Sequence, residues 1–134
     1  MIQFSFIVVG INKIIVTRQD LDFEQNSTFC DGKIIGAIFN GTILLKESGN
    51  ITNRKTIYHE VGHNVFKKIS EEEKKEWEKL HGNSKIFVSV YASSNYVEDF
   101  AESFSCYMTN FDDCSLKLDP LKLQFIERAT PKHL

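Results

Sequence analysis

The sequence predicts an α+β fold in which a small mixed β-sheet from the N-terminal third precedes a helical C-terminal half. Three observations lead to this prediction: short apolar, β-branched runs before residue 47, an Asn-Gly pair between two of them, and helical periodicity after residue 53. With 134 residues, 42% of them hydrophobic and 25% charged, the chain has the size and composition of one globular domain. We therefore expect a single domain over residues 1–134.

The first strands are predicted from apolar runs near the N-terminus. Phe6–Val9 is continuously apolar, and Ile11–Thr17 contains the β-branched residues Ile14, Ile15 and Val16, which suit a pleated, half-buried surface. The polar segment Asp20–Asp31 has no such pattern, so we expect it to be irregular.

A β-hairpin is predicted next. Asn40-Gly41 separates the apolar runs Ile34–Phe39 and Thr42–Lys46, and both turn residues tolerate the positive φ of a type I′ turn. We therefore expect these two runs to pair as antiparallel strands.

The first two helices follow from periodicity and capping. Between Arg54 and Ile69 the apolar residues recur at three- and four-residue steps, which places them on one side of a helix. Ser70 and Glu73 form a capping box, so a second helix should begin at Glu71 and end near Leu80, before Gly82.

The remaining elements follow from caps as well. Lys85–Tyr91 is expected to be extended, and Asn95 caps a helix over Tyr96–Thr109. Asp119 followed by Pro120 begins a last helix that ends before Pro131.

Charge and length exclude several classes of partner. Sixteen Lys and Arg nearly cancel 18 Asp and Glu, so the chain lacks the basic excess of a nucleic-acid binder. The longest apolar run, Phe4–Ile11, is too short to span a membrane, and Met1–Gly10 has no positive charge, unlike a signal peptide. We expect no nucleic acid, no membrane span and a monomer.

The three cysteines are an odd number without a CxxC pair. A disulfide scaffold and a zinc ribbon are therefore not expected. We expect Cys30, Cys106 and Cys114 to be small, buried or partly buried thiols.

The first predicted helix carries an HExxH motif, His59-Glu60-Val61-Gly62-His63. Residues four apart share a helical face, so both imidazoles can bind one zinc ion while Glu60 points at the open coordination position. This layout is typical of a zinc hydrolase in which the glutamate is the general base for water.

A zinc ion that keeps one position open needs a third protein ligand. A third histidine six residues after His63 would extend the motif, but Ile69 stands there, so the three-histidine class is excluded. The other candidates are His81, the acidic cluster 71–78, Glu98, Glu102 and Cys106.

Glu98 and Glu102 are the strongest of these candidates. They lie four residues apart on one face of a predicted helix, beside the small residues Ala101 and Ser105, which allow another helix to approach closely. One glutamate can bind zinc while the other accepts the spare N–H of a zinc-binding histidine. Spacing alone leaves both assignments open.

The chain resembles the catalytic domain of the toxin-related anthrax lethal factor family, which includes the bacterial Pro-Pro endopeptidases. Both groups are gluzincins, zinc metallopeptidases in which a downstream glutamate completes the HExxH site. The resemblance covers residues 11–128, with specific motifs in His59–His63 and in Tyr91–Phe104. The shared downstream pattern maps without gaps onto Tyr91, Asn95, Glu98, Phe100, Ala101 and Glu102.

The resemblance implies a zincin-like metalloprotease fold, in which a small mixed sheet and the active-site helix lie above the cleft. It assigns Glu98 as the third ligand of one catalytic Zn²⁺ ion and Glu102 as the partner of a zinc-binding histidine. It makes Glu60 the general base and acid, and Tyr91 the phenol that supports the oxyanion. A hydroxyl donor aimed at developing negative charge fits that role.

The resemblance also implies an endopeptidase whose peptide or protein substrate binds as an extended strand. The hairpin Ile34–Lys46 resembles the family's edge strand, which pairs with the substrate main chain. The family is largely extracellular, but the missing signal peptide is also compatible with a cytoplasmic location. The family's usual N-terminal helix is absent, which suggests a truncated or minimal domain.

Two other classes of protein share part of this pattern. A cytosolic, repressor-cleaving type of peptidase also combines HExxH with a downstream glutamate, but Tyr91 seven residues before Glu98 argues against it. A catalytically inactive zinc-binding interaction module would have no need of Glu60 or Tyr91.

Overall fold

The computed structural model describes residues 13–17, 27–30, 33–39, 42–46, 50–109, 114 and 116–130. Within the strands, side chains are described at positions 13, 15 and 42–44, and within the first helix from residue 54 onward. The predicted strand Phe6–Val9 and the turn Asn40-Gly41 lie outside the described residues.

Four strands are described: β1 (Lys13–Thr17), β2 (Ser27–Cys30), β3 (Lys33–Phe39) and β4 (Thr42–Lys46). Their order is β1-β4-β3-β2, with β1 parallel to β4 and the other neighbours antiparallel. The predicted hairpin corresponds to β3 and β4, paired from Gly36↔Leu45 to Phe39↔Thr42. The expectation that Asp20–Asp31 is irregular is wrong at its end, where β2 pairs with β3.

The strand order corrects the prediction of a substrate-pairing edge. β4 is paired on both sides, by β1 and β3, and β3 is paired by β4 and β2. The backbone N–H and C=O groups of this hairpin are therefore directed at other strands, and among the described strands the open edges are those of β1 and β2. The hairpin is not the edge that the resemblance implied.

Two long helices follow the strands. α1 (Asn50–Lys68) carries the HExxH motif in its C-terminal half, and it begins four residues before the predicted start at Arg54. α2 (Glu71–Asn83) begins at the predicted capping box: the Ser70 side chain accepts a hydrogen bond from the Glu73 N–H, and the Glu73 side chain accepts one from the Ser70 N–H. Its end differs from the prediction, since Gly82 lies inside the helix.

The downstream helices are α3 (Tyr96–Thr109) and α4 (Pro120–Ala129), as their caps predict. Asp119 caps α4 by accepting a hydrogen bond from the Leu121 N–H. The prediction that Lys85–Tyr91 is extended is wrong: residues 84–90 contain no strand, and Tyr91–Ser94 form a short 3-10 helix.

The hydrophobic core is built mainly by large side chains of the helices. Trp77 of α2 packs edge-to-face on Phe100 of α3, with ring centroids 5.3 Å apart, and lies 5.2 Å from Phe125 of α4. The Trp77 indole N–H donates to the carbonyl of Tyr96 at 2.7 Å. The strands contribute Ile43, which is fully buried in the same cluster.

This core corrects the predicted fold class. The described strands form one small sheet, but most residues with described side chains are helical, and the buried side chains come almost entirely from the helices. The prediction of an α+β, zincin-like fold organised by its small mixed sheet is therefore wrong, because the helices and not the sheet form most of the core. The physical reason is the location of the aromatic residues: the rings that fill the core lie on α1–α4, so helix-to-helix packing organises it.

Two further expectations concern cysteines and membranes. The structure pairs Cys106 with Cys114 as a disulfide, with Cα atoms 5.4 Å apart, so the expectation of free thiols is wrong for these two residues. Among the described residues, no helix is long and apolar enough to cross a membrane.

Candidate metal centre

Gly62, inside the HExxH motif, allows α1 and α3 to approach each other closely. A Cβ atom at this position would lie 3.1 Å from the Cα atom of Ala101 and 3.1 Å from Cδ1 of Phe104. Ala101 and Phe104 are themselves fully buried. The small residues on both helices therefore bring the backbone of α1 close to that of α3, which carries the two predicted glutamates.

The approach of the two helices brings together His59, His63 and Glu98. The Nε2 atoms of the two histidines lie 3.1 Å apart. Oε2 of Glu98 lies 3.1 Å from Nε2 of His59, and Oε1 lies 3.3 Å from Nε2 of His63. Within the described part of the chain, these three side chains are the group whose geometry could hold a metal ion.

The spacing fits a tetrahedral zinc site. Ligand atoms about 2.0–2.1 Å from one ion lie about 3.3–3.4 Å apart at tetrahedral angles. The measured separations are 3.1–3.3 Å. Oε2 of Glu98 accepts no hydrogen bond within the described residues, although Nε2 of His59 is only 3.1 Å away. Two imidazoles and one carboxylate are a donor set that zinc prefers, so the residues fit this ion.

Glu102 contacts His59 from the side opposite Glu98. Oε2 of Glu102 lies 2.8 Å from Nδ1 of His59, and its other oxygen, Oε1, accepts a hydrogen bond of 2.8 Å from the Ser89 hydroxyl. An imidazole whose Nδ1–H is bound to a carboxylate presents Nε2 to a metal. The bond expected between Glu102 and a zinc-binding histidine is present in this geometry.

The carboxylates strongly shift the protonation of His59. Burial lowers the pKa of His59, but the neighbouring carboxylates of Glu102, Glu98 and Glu60 outweigh burial and raise this pKa to about 10. Burial raises the pKa of Glu98, but its close contacts with the His59 and His63 imidazoles lower it to about 2. The metal-free cluster is thus a cationic imidazole held between carboxylates.

Tyr91 lies at the edge of this cluster, in the first turn of the 3-10 helix. Its ring centroid is 6.0 Å from that of His59. Burial raises the pKa of Tyr91, and the charge of Glu98 and a hydrogen bond with it raise the pKa further. The phenol therefore stays protonated at neutral pH and can donate a hydrogen bond.

Glu60 follows the first histidine and is fully buried, with 0% of its surface exposed. His59 and His63 are also buried, and Glu98 is 13% exposed. The charge of Glu60 contributes to the raised pKa values of both His59 and Tyr91, which places it electrostatically within the cluster.

The other candidate ligands lie elsewhere. The Nδ1–H of His81 donates to Oδ2 of Asp99 at 2.8 Å, and Cys106 is paired with Cys114. The acidic residues of 71–78 lie on the outside of α2, where Glu71, Glu72, Glu76 and Glu78 are exposed. Of the five alternatives that spacing left open, the structure brings Glu98 beside both histidines and Glu102 beside Nδ1 of His59.

Sequence reasoning missed a buried charge cluster beside the candidate metal centre. The Lys122 ammonium group lies 2.8 Å from Oδ2 of Asp99, which also lies 2.8 Å from Nδ1 of His81. Lys122 donates to the carbonyl of Ile86 at 3.0 Å, and Ser103 donates to Asp99 at 3.1 Å. The three charged residues of this cluster lie on α2, α3 and α4, and no spacing in the sequence relates them. The one local signal for the position of the cluster is that Asp99 directly follows Glu98.

Comparison with known proteins finds no match: no family model, no curated protein and no solved structure matches the chain. The resemblance to the lethal factor family therefore remains a prediction that rests on the motifs alone.

Proposed function

We propose that this protein is a zinc-dependent metalloendopeptidase. The observation that carries the proposal is the convergence of three buried or nearly buried side chains, His59, His63 and Glu98, whose nearest nitrogen and oxygen atoms lie 3.1–3.3 Å apart. Without a metal ion, a proton on His59 takes the place of the cation between the neighbouring carboxylates. The HExxH motif and the Tyr91–Glu102 pattern give the same assignment from the sequence.

His59, His63 and Glu98 would hold the zinc ion. Zinc in such a site supplies Lewis acidity, which activates water and polarises a peptide carbonyl. The Glu102 carboxylate fixes the ring of His59 in the orientation that presents Nε2.

Glu60 and Tyr91 would carry the proton transfer and the charge stabilisation. Glu60 takes a proton from the attacking water and later returns it to the leaving amine, so one carboxylate is both base and acid. Tyr91 donates its phenolic hydrogen to the oxyanion that forms at the carbonyl oxygen, and its raised pKa keeps this hydrogen in place at neutral pH.

A peptide or protein is the proposed substrate, because this ligand set combined with a glutamate base is the arrangement of zinc peptidases. Resemblance to the lethal factor family supports the same substrate class. Strand pairing with the β3–β4 hairpin does not support it, since both strands are already paired on each side.

The test is the Glu60→Gln variant, measured for zinc content and for cleavage of a peptide library that includes Pro-Pro bonds. We expect unchanged zinc content and a loss of cleavage of about 10²–10⁴-fold, because the general base is removed and no ligand is changed. Glu72→Gln, on the exposed side of α2, is the matched control and should cleave like the wild type. Full activity of Glu60→Gln would contradict the mechanism.

The complete burial of Glu60 favours a second candidate, a zinc-binding module without catalysis. A general base needs access to the attacking water molecule, whereas a buried glutamate next to two histidines can have a purely structural role. Stoichiometric zinc binding without cleavage of any library peptide would favour this module. Cleavage of a folded repressor-like protein, but not of short peptides, would favour the cytosolic repressor-cleaving type.

A further inference from the structure

Ser89 occupies a junction between two parts of the candidate site. Its hydroxyl donates to Oε1 of Glu102 at 2.8 Å and accepts a hydrogen bond of 3.0 Å from the backbone N–H of Ala92. The first bond connects Ser89 to Glu102, which contacts His59. The second connects Ser89 to the 3-10 helix that contains Tyr91. A serine hydroxyl can make both bonds because it is donor and acceptor at once.

The carboxylate of Glu102 is held from two directions. Oε2 faces Nδ1 of His59 at 2.8 Å, while Oε1 faces Ser89. One bond alone would let the carboxylate rotate about its axis, whereas two bonds to different oxygens fix its plane. The orientation of the His59 ring therefore depends on Ser89 as well as on Glu102.

The segment that carries Ser89 is held by side-chain contacts and not by a helix or a strand. Residues 84–90 contain no helix or strand. Ser84 and Lys122 fix its beginning, the former through Asp119 and the latter through the carbonyl of Ile86. Towards Tyr91, Val88 packs against the buried cluster that contains Cys106 of α3, and the Ser89 hydroxyl adds a hydrogen bond to Glu102 of the same helix.

We propose that Ser89 is a positioning residue that couples the orientation of His59 to the placement of Tyr91. The inference rests on the proposed function, because it assumes that His59 binds zinc. Loss of the Ser89 hydroxyl should loosen Glu102 and release the Ala92 N–H together, so metal affinity and the order of the 3-10 helix should change in one variant.

The experiment compares Ser89→Ala with Ser89→Thr. Threonine keeps the hydroxyl, and its extra methyl group has room because Ser89 and Glu102 line a cavity of about 130 Å³. Ser93→Ala is the matched control: Ser93 is exposed in the same turn and its hydroxyl donates only to the carbonyl of Val90. The probe is Zn²⁺ alone, titrated in competition with a chelator, with amide exchange of Ala92 followed by NMR.

We expect the zinc dissociation constant of Ser89→Ala to rise about tenfold, the lower end of the effect of removing a partner of a metal ligand. Exchange at Ala92 should accelerate in the same variant, while Ser89→Thr and Ser93→Ala should match the wild type in both measurements. Wild-type affinity in Ser89→Ala, or equal weakening in Ser93→Ala, would overturn the inference. A wild-type chain that binds no zinc would instead overturn the proposed function, and the inference with it.

Discussion

At the scale of single residues, the protonation of His59 dominates the properties of the metal-free site. Its imidazole is buried between Glu98 and Glu102, and these carboxylates raise its pKa to about 10 despite burial. A metal ion and a proton compete for the same ring nitrogen. The residue that we propose as a zinc ligand therefore also determines how the metal-free protein responds to pH.

This competition gives a pH dependence for the stability of the chelator-treated protein. The pKa of His59 is raised from 6.5, so its contribution is complete below pH 6.5 and is lost as pH rises through about 10. The pKa of Glu98 is lowered from 4.5, so its contribution is complete above pH 4.5 and is lost as pH falls through about 2. Both contributions are therefore complete between pH 4.5 and 6.5.

Thermal unfolding of the metal-free protein from pH 3 to pH 10 measures this effect. We expect the Tm to decline above pH 6.5, and the His59→Gln variant, which cannot hold the extra proton, to show a flatter profile there. Identical profiles of the two proteins above pH 6.5 would contradict the assignment.

At the scale of elements, the contact between α1 and α3 sets the geometry of the candidate site. The proposed ligands are two residues on α1 and one residue on α3, so the separation of the helices determines whether their atoms converge. Gly62 and Ala101 are the small residues at this contact.

Gly62→Ala should weaken both folding and zinc binding. The added Cβ would meet the Ala101 backbone and the Phe104 ring at 3.1 Å, and both neighbours are fully buried, so the helices must separate. Overpacking of this kind typically costs about 1–3 kcal/mol in the free energy of unfolding.

Gly82→Ala is the matched control for this substitution. Gly82 is helical in α2, and a Cβ there would meet no atom within 4 Å. Alanine should therefore increase stability by about 0.5–1 kcal/mol through helix propensity alone. Chemical denaturation and zinc titration measure both variants, and equal stabilisation by the two would show that α1 and α3 do not depend on Gly62.

The elements also show what sequence reasoning can reach. The helices were predicted well where a cap was present, as at Ser70 and Asp119, because capping depends on local hydrogen bonds. The side chains that the i, i+4 spacing and the downstream pattern indicated, His59, His63 and Glu98, lie together in the structure, while their binding of zinc stays a prediction. The strand order, and with it the pairing of both outer sides of the hairpin, could not be predicted, since distant residues that no local pattern encodes determine which strands become neighbours.

At the scale of the whole molecule, a buried ion pair joins the helical half. Lys122 of α4 is 2% exposed and pairs with the fully buried Asp99 of α3, which also contacts His81 of α2. The ammonium group lies 4.1 Å from the centre of the Phe87 ring as well. The Lys122–Asp99 ion pair therefore contacts side chains from three helices and from the segment before Tyr91.

Removing this charge should destabilise the whole domain. Lys122→Met leaves the Asp99 carboxylate buried without its cation, and breaking a buried pair in this way typically costs about 3–5 kcal/mol. We expect a loss near 3 kcal/mol, because His81 and Ser103 still contact Asp99.

Arg128→Met is the matched control on the same helix. Arg128 pairs with Glu76 at 3.1 Å, but the two side chains are 61% and 46% exposed, so the loss should stay within about 1 kcal/mol. Denaturant unfolding of both variants gives the comparison. Equal effects of the two substitutions would mean that the Lys122–Asp99 pair does not hold the helices together.

The most direct test of the central claim is X-ray absorption at the zinc edge of the protein loaded with one equivalent of Zn²⁺. The account predicts two imidazole nitrogens at about 2.0–2.1 Å, a carboxylate oxygen at a similar distance and no sulfur at about 2.3 Å. The Glu98→Gln variant should lose the oxygen contribution or fail to hold the ion. Sulfur ligation, fewer than two imidazoles, or a spectrum unchanged by Glu98→Gln would contradict a centre formed by His59, His63 and Glu98.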